Sequence, residues 1–137
     1  RRSVSRYLGV DVGAKRVGLA LSDPIGLTAT PLEVVDRATA VDEITRLAQI
    51  HEVGTIVVGL PTSLGGGEGT SAVDARSLGD QLAQATEAEI VYLDERFTSR
   101  MAESALLESG MKRRERKTTI DKVAAAIILQ DYLNSLK

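Results

Sequence analysis

Tyr7-Leu-Gly-Val-Asp-Val-Gly-Ala-Lys-Arg-Val-Gly-Leu-Ala-Leu-Ser-Asp23 is an apolar run interrupted by glycines, with a carboxylate at its centre. Residues 6–12 and 16–22 are leucine-rich or β-branched, and Gly13 breaks them. After Asp23-Pro24 and Gly26, residues 28–35 repeat the pattern. Three strands joined by such short breaks form an antiparallel meander. Asp11 is the anomaly. An ionised carboxylate on a buried strand is costly unless it is neutralised, hydrogen-bonded or holding a cation. Gly9, Gly13 and Gly18 around it lack side chains, which would let a ligand or phosphate approach closely. Asp and Gly are also turn formers, so a surface aspartate at a hairpin is the competing reading, and this segment leaves both open.

Beyond the meander, Ala40 to Glu52 carries Val41, Ile44, Leu47, Ala48 and Ile50 at mostly helical spacing and is stopped by Gly54. Thr55 to Leu60 is a continuous apolar run, as expected of a strand covered on both faces, and Pro61 closes it. Residues 62–69 are glycine-rich and read as a loop. A helix follows over 72–85 and a fifth strand over 89–93. Thr98 or Ser99 caps a helix through Ser109 that Gly110 stops. Thr118 or Thr119 caps a last helix to about Leu133. The expected fold class is α/β: one domain over 1–137, with a mixed five-stranded sheet of three antiparallel strands then parallel strands, flanked by helices.

Composition narrows the chemistry. The 137 residues suit one domain with a real core. Cysteine is absent, which removes disulfides, thiolate metal sites and cysteine nucleophiles and suits a reducing compartment, the cytoplasm. His51 is the sole histidine and sits where a helix ends, so it reads as a cation complementing the helix dipole. With Phe97, Tyr7, Tyr92 and Tyr132 as the only aromatics, a base-stacking platform is not expected. The net charge of −2 means that nucleic acid, if bound, is held by a local basic patch. No stretch is apolar for the ~20 residues a membrane span needs.

Two further acidic segments join Asp11. The fifth strand ends in Asp94-Glu95-Arg96, at the sheet end where open α/β sheets bind ligands. If the strand persists through both carboxylates they face opposite ways, so one of them shares the Asp11 side; a solvated turn is the alternative. Asp121 follows Thr118 with capping-box spacing and sits in the first turn of the last helix, a sufficient structural role. It also lies in register with Ala125, Ile128 and Tyr132, so it can point into the fold near the strand ends. Three oxygen ligands without His or Cys describe a hard-cation site of the Mg²⁺ or Mn²⁺ kind. Lys112-Arg-Arg-Glu-Arg-Lys117 puts five positive charges in six residues. Such runs can be merely solvated; beside an acidic metal site this one can hold a phosphodiester backbone. Lys15 and Arg16 can serve the same end.

Gly9 to Asp23, Val58-Gly-Leu-Pro61, Asp94-Glu-Arg-Phe-Thr98 and Ile120-Asp-Lys-Val-Ala-Ala-Ala-Ile-Ile-Leu-Gln130 together resemble the YqgF/RuvX family over nearly the whole chain. The resemblance implies the ribonuclease H-like fold and a metal-binding triad of Asp11, Glu95 and Asp121, with Asp11 shared by two ions. It also implies phosphodiester hydrolysis: family members are described as candidate pre-16S rRNA nucleases, and some as Holliday-junction resolvases. Where the family usually has Asn and Asp-Gly after Gly-Leu-Pro, this chain has Ser63 and Gly65-Gly66. Two divalent ions flanking a scissile phosphate need no histidine base. Arg96, Thr98, Lys112, Arg113, Arg114 and Lys117, with Lys15 and Arg16, are the expected substrate contacts; Arg96 can instead pair with Asp94. Two rivals remain. An actin-like or sugar-kinase site shares Asp-x-Gly but needs two such domains, which 137 residues do not supply. A non-catalytic nucleic-acid or ribosome-assembly module would keep the fold without cleavage. Junction resolution, unlike single-strand RNA cleavage, needs two active sites and hence a homodimer.

Overall fold

The computed structural model describes residues 6–61, 70–95 and 113–136, with side chains described for all of these except 61, 70–71, 95 and 113–121. Strands β1 (Arg6–Val12), β2 (Arg16–Ser22) and β3 (Ala29–Asp36) form the meander; a 3-10 turn (Arg37–Thr39) leads into α1 (Ala40–Ile50). Then come β4 (Val53–Pro61), α2 (Thr70–Ala85), β5 (Glu89–Glu95) and α3 (Arg113–Ser135). The five strands lie in the order β3-β2-β1-β4-β5. The β1–β2 and β2–β3 pairs are antiparallel, while β1–β4 and β4–β5 are parallel, as the element order had implied.

Alternation along the strands sorts the side chains onto two faces. Leu8, Val10, Val17, Leu19, Ile56, Val58 and Leu60 pack against Ile44 and Leu47 of α1 and Ala75, Leu78 and Leu82 of α2. On the other face Ala20 and Val57 meet Ala125, Ile128, Leu129 and Leu133 of α3, with Tyr7, Leu93 and Tyr132 around them. Covering both faces is what lets the central strands be apolar throughout.

Helix α3 lies unusually close to the sheet because two strand positions have no side chain. A Cβ built on Gly9 would stand 2.7 Å from both the Ala125 carbonyl oxygen and Leu129 Cβ, and one on Gly59 would meet Ile128 Cδ1 at 2.5 Å. Gly9 therefore serves helix packing; the room expected there for a ligand is filled by the helix. Gly13 likewise belongs to the β1–β2 turn, where its N–H donates to the Arg16 carbonyl at 2.8 Å and a Cβ would crowd that same oxygen. Gln130 fastens α3 to the edge strand: its Oε1 accepts from Ala29 N–H at 2.9 Å and its Nε2 donates to the Leu27 carbonyl at 3.0 Å.

Two expectations about helix ends are corrected. Helix α3 begins at Arg113, so Thr118 and Thr119 are interior, Asp121 is not in the first turn, and the basic run is mostly helix. Arg, Lys and Glu are good helix formers, and nothing between Gly110 and Thr118 breaks the chain, so the helix propagates back through them. Gly54 is not the stop of α1 but part of β4. The left-handed position falls on Glu52 (φ 56°), because β4 must start at Val53 to pair with Arg6, whose N–H donates to the Glu52 carbonyl at 3.2 Å. His51 does occupy the C-cap of α1. The expected loop over 62–69 and the helix over 98–109 lie outside the described residues.

The β2–β3 hairpin is shaped by Asp23, whose Oδ1 accepts from Leu27 N–H at 2.7 Å and Thr28 N–H at 3.1 Å. The Thr28 bond chiefly, helped by that of Leu27, holds the Asp23 carboxyl below its ordinary value against the opposing effect of desolvation. A carboxylate depressed in the fold adds stability that is present above its unfolded value and lost as pH falls through the folded one. Urea unfolding between about pH 5 and 2 should therefore show a shallower acid limb for Asp23→Asn than for wild type. Gly9→Ala should lower unfolding free energy by about 1–3 kcal/mol, because backbone must move. Gly59→Ala should cost less, since only the tip of Ile128 has to turn. Equal losses in chemical denaturation would contradict this account of the helix seat.

Candidate active site

The C-terminal ends of the parallel strands β1, β4 and β5 lie along one edge of the sheet. Asp11 stands near the end of β1, half-buried, directly opposite Gly18 of β2. Its parity matches Tyr7 and Gly9, both of which meet α3, so position 11 belongs to the α3 face.

The strand β5 continues through both carboxylates, pairing Asp94 with Leu60 and Glu95 with Pro61. Ile90 and Tyr92 pack on the α1/α2 side and Leu93 on the α3 side. By alternation, position 95 falls on the α3 face with Asp11, and the exposed Asp94 on the other.

Helix α3 runs antiparallel to β1. Tyr132 lies against Tyr7, with ring centroids 5.9 Å apart, and Ala125 with Leu129 covers Gly9. Two residues further along β1 is Asp11; one helical turn before Ala125 is Asp121. A turn of helix rises about 5.4 Å and two strand residues about 6.6 Å, so the two positions advance nearly together toward the same sheet edge. Register thus brings positions 11, 95 and 121 to one edge on one face. Among the described residues no group of three metal-ligating side chains is assembled, since the side chains of Glu95 and Asp121 lie outside them.

The basic candidates divide by location. Lys15 is exposed on the β1–β2 turn and Arg16, partly buried, opens β2 opposite Asp36; both are at the Asp11 edge. Arg113, Arg114 and Lys117 occupy the first two turns of α3, with side chains outside the described residues. Arg96, Thr98 and Lys112 lie outside the described residues altogether. His51 sits at the opposite end of the sheet, beside Arg6, Pro24 and Glu52, and cannot serve this edge. A concavity of about 730 Å³ is also at that far end, between the C-termini of α1 and α2, and none of the three acids lines it. Sequence reasoning passed over Arg37, whose guanidinium pairs with Asp74 at 2.7 Å, because an isolated Arg-Ala-Thr carries no motif.

A mixed sheet of order 3-2-1-4-5 with helices on both faces is the ribonuclease H-like architecture, and it defines the class. The Thermus thermophilus RuvC structure solved with a Holliday junction substrate superposes with a TM-score of 0.59 over 96% of this chain and 95% of that one, at 15% identity. The Fowlpox virus resolvase, solved with Holliday junction DNA, gives 0.55 over 96% and 98%, at 11% identity. At these identities the likeness is one of fold. The sequence relationship is closer: the family profile described as "RuvX: Holliday junction resolvase" matches residues 5–135. A Lactococcus lactis protein named "Putative pre-16S rRNA nuclease" is 40% identical over 96% of this chain and 95% of its own length. An Anaeromyxobacter protein of the same name is 45% identical over 94% and 96%. The chain belongs to the RuvX family.

Proposed function

We infer that this protein is a divalent-metal-dependent endonuclease that cleaves the precursor of 16S rRNA, acting in the cytoplasm, with Asp11, Glu95 and Asp121 as its acidic triad. The observation that carries the reading is register: three carboxylate-bearing positions from two strands and a helix reach one sheet edge on one face. The substrate is inferred from the names of relatives that align over nearly their full length.

The donor chemistry fits a hard cation. The edge offers carboxylate oxygens, the chain has no cysteine, and its only histidine is at the far end. Such a set suits Mg²⁺ or Mn²⁺, which bind through a few carboxylates and leave positions for water and phosphate. Bound there, two such ions would supply an activated water and charge stabilisation at the leaving oxygen. The residues of the chain do the rest. Asp11, on a central strand between two paired neighbours, gives the site a rigid floor. Glu95 and Asp121 would close the ligand set from β5 and α3.

Substrate binding falls to the cations around this acidic edge. Arg113, Arg114 and Lys117 begin a helix, where the macrodipole disfavours positive charge. A polyanion lying across that helix start relieves the repulsion and meets the N-terminal N–H groups as well. Lys15 and Arg16 flank Asp11 from the hairpin, and Arg96, Thr98 and Lys112 are assigned to the same surface from their place in the sequence.

A four-way DNA junction is the second candidate substrate, favoured by the family description. It would require a homodimer, because two strands must be cut. Cleavage of a labelled pre-16S rRNA fragment and of a four-way junction, each with Mg²⁺, Mn²⁺ or EDTA, tests both. Wild type should cut the RNA only with metal, and Asp11→Asn should lose at least about 100-fold in rate while binding the RNA normally. Metal-independent cutting, or full activity in Asp11→Asn, overturns the assignment. Binding without cleavage of either substrate transfers it to a non-catalytic assembly module.

The parity of β5 yields a sharper comparison. Glu95→Gln should be as damaged as Asp11→Asn, whereas Asp94→Asn, on the opposite face, should stay within about threefold of wild type. The reverse ranking in single-turnover assays would mean that the acids have been assigned to the wrong faces.

A further inference from the structure

Arg37 stands where three segments meet. It opens the 3-10 turn after β3, and its backbone N–H donates to the Lys15 carbonyl at 2.9 Å. Its guanidinium grips Asp74 of α2 in a fork, Nη2 to Oδ1 at 2.7 Å and Nε to Oδ2 at 3.3 Å. The two side chains are 22% and 37% exposed, so water screens the pair less than it would a fully exposed one. A bidentate arginine fixes orientation as well as distance, which a lysine ammonium does not. The β1–β2 turn, which carries Lys15 four residues after Asp11, is therefore tied through one residue to a helix on the far face of the sheet.

We propose that Arg37 is a positioning residue for nucleic-acid binding: anchored on Asp74, it holds the β1–β2 turn so that Lys15 meets a backbone phosphate beside the Asp11 edge. The proposal rests on the nuclease reading for the substrate but concerns binding, which is measurable without cleavage. Arg37 does not itself need to touch the nucleic acid. Its work is to keep an exposed, flexible-stemmed cation in one place, so that less entropy is lost when the phosphate arrives.

The Asp74→Asn variant separates this role from simple electrostatics, because the two give opposite signs. Removing a negative charge from the protein should, if anything, tighten binding of a polyanion if charge alone matters. Losing the anchor should weaken it. Fluorescence anisotropy of a labelled pre-16S rRNA fragment in EDTA, over a range of salt, should show Kd raised about 3–10-fold in Asp74→Asn. In Mg²⁺ KM should rise with it while kcat stays within about twofold. Arg37→Lys, which keeps the charge and loses the fork, should behave alike and serves if Asp74→Asn does not fold. In a Lys15→Ala background both substitutions should have no further effect on Kd, since there is then no cation to position. Unchanged or tighter binding by Asp74→Asn, or effects that multiply with Lys15→Ala, overturn the proposal. Wild type that binds RNA without cutting it overturns the nuclease reading alone; wild type that binds no nucleic acid overturns both.

Discussion

The seat of α3 on β1 and β4 is the constraint on which the rest of the molecule depends. At Gly9 the helix backbone itself, through the Ala125 carbonyl, occupies the space a side chain would take. Backbone cannot rotate away as a side-chain tip can, so the helix has one height and one axial position over β1. The Tyr7–Tyr132 contact fixes the other end of the same face, and Gln130 ties it sideways to β3. With these points set, the place of residue 121 along the sheet follows from helical rise alone. A site built from a strand and a helix is only as accurate as the packing between them, and here that packing leaves no slack.

Charge is arranged around this frame with a division of labour. The chain as a whole is slightly acidic. Net charge would thus not draw a polyanion to it. Lys15 and Arg16 lie at the edge where Asp11 sits, and Arg113, Arg114 and Lys117 lie in the first turns of α3. The same edge would repel phosphate if its carboxylates acted alone. In the proposed reading, cations of both kinds, side-chain and metal, would make an acidic edge compatible with a nucleic acid.

Much of this was legible in the sequence, and the misses share a cause. Strands β1 and β2 were readable to the residue because alternation, glycine breaks and β-branched content agreed. The face of α3 was readable from the spacing of Ala125, Ile128 and Tyr132, which do pack on the sheet. The start of α3 was misjudged because Thr118 and Asp121 carry a capping signature that is outweighed by the helix propensity of the residues before them. The end of α1 was misjudged for a tertiary reason: pairing of Val53 with Arg6 forces the reversal onto Glu52, the one non-glycine residue with a positive φ among the described residues. Local signals give way wherever a neighbouring strand dictates where the chain must be.

Arg37 shows the converse limit. Nothing in its local sequence distinguishes it, since its partners are Lys15 through the backbone and Asp74 through the side chain, 22 and 37 residues away. The link crosses the sheet: the hairpin tip is at the Asp11 edge, and α2 packs on the opposite face from α3. Helix α3 sets one wall of the acidic edge, and Arg37 ties the other wall, the β1–β2 turn, to the second helical layer. Both layers thereby bear on one place. Cross-ties of this kind, from helices on both faces, are what hold a sheet edge rigid enough to keep side chains in one geometry.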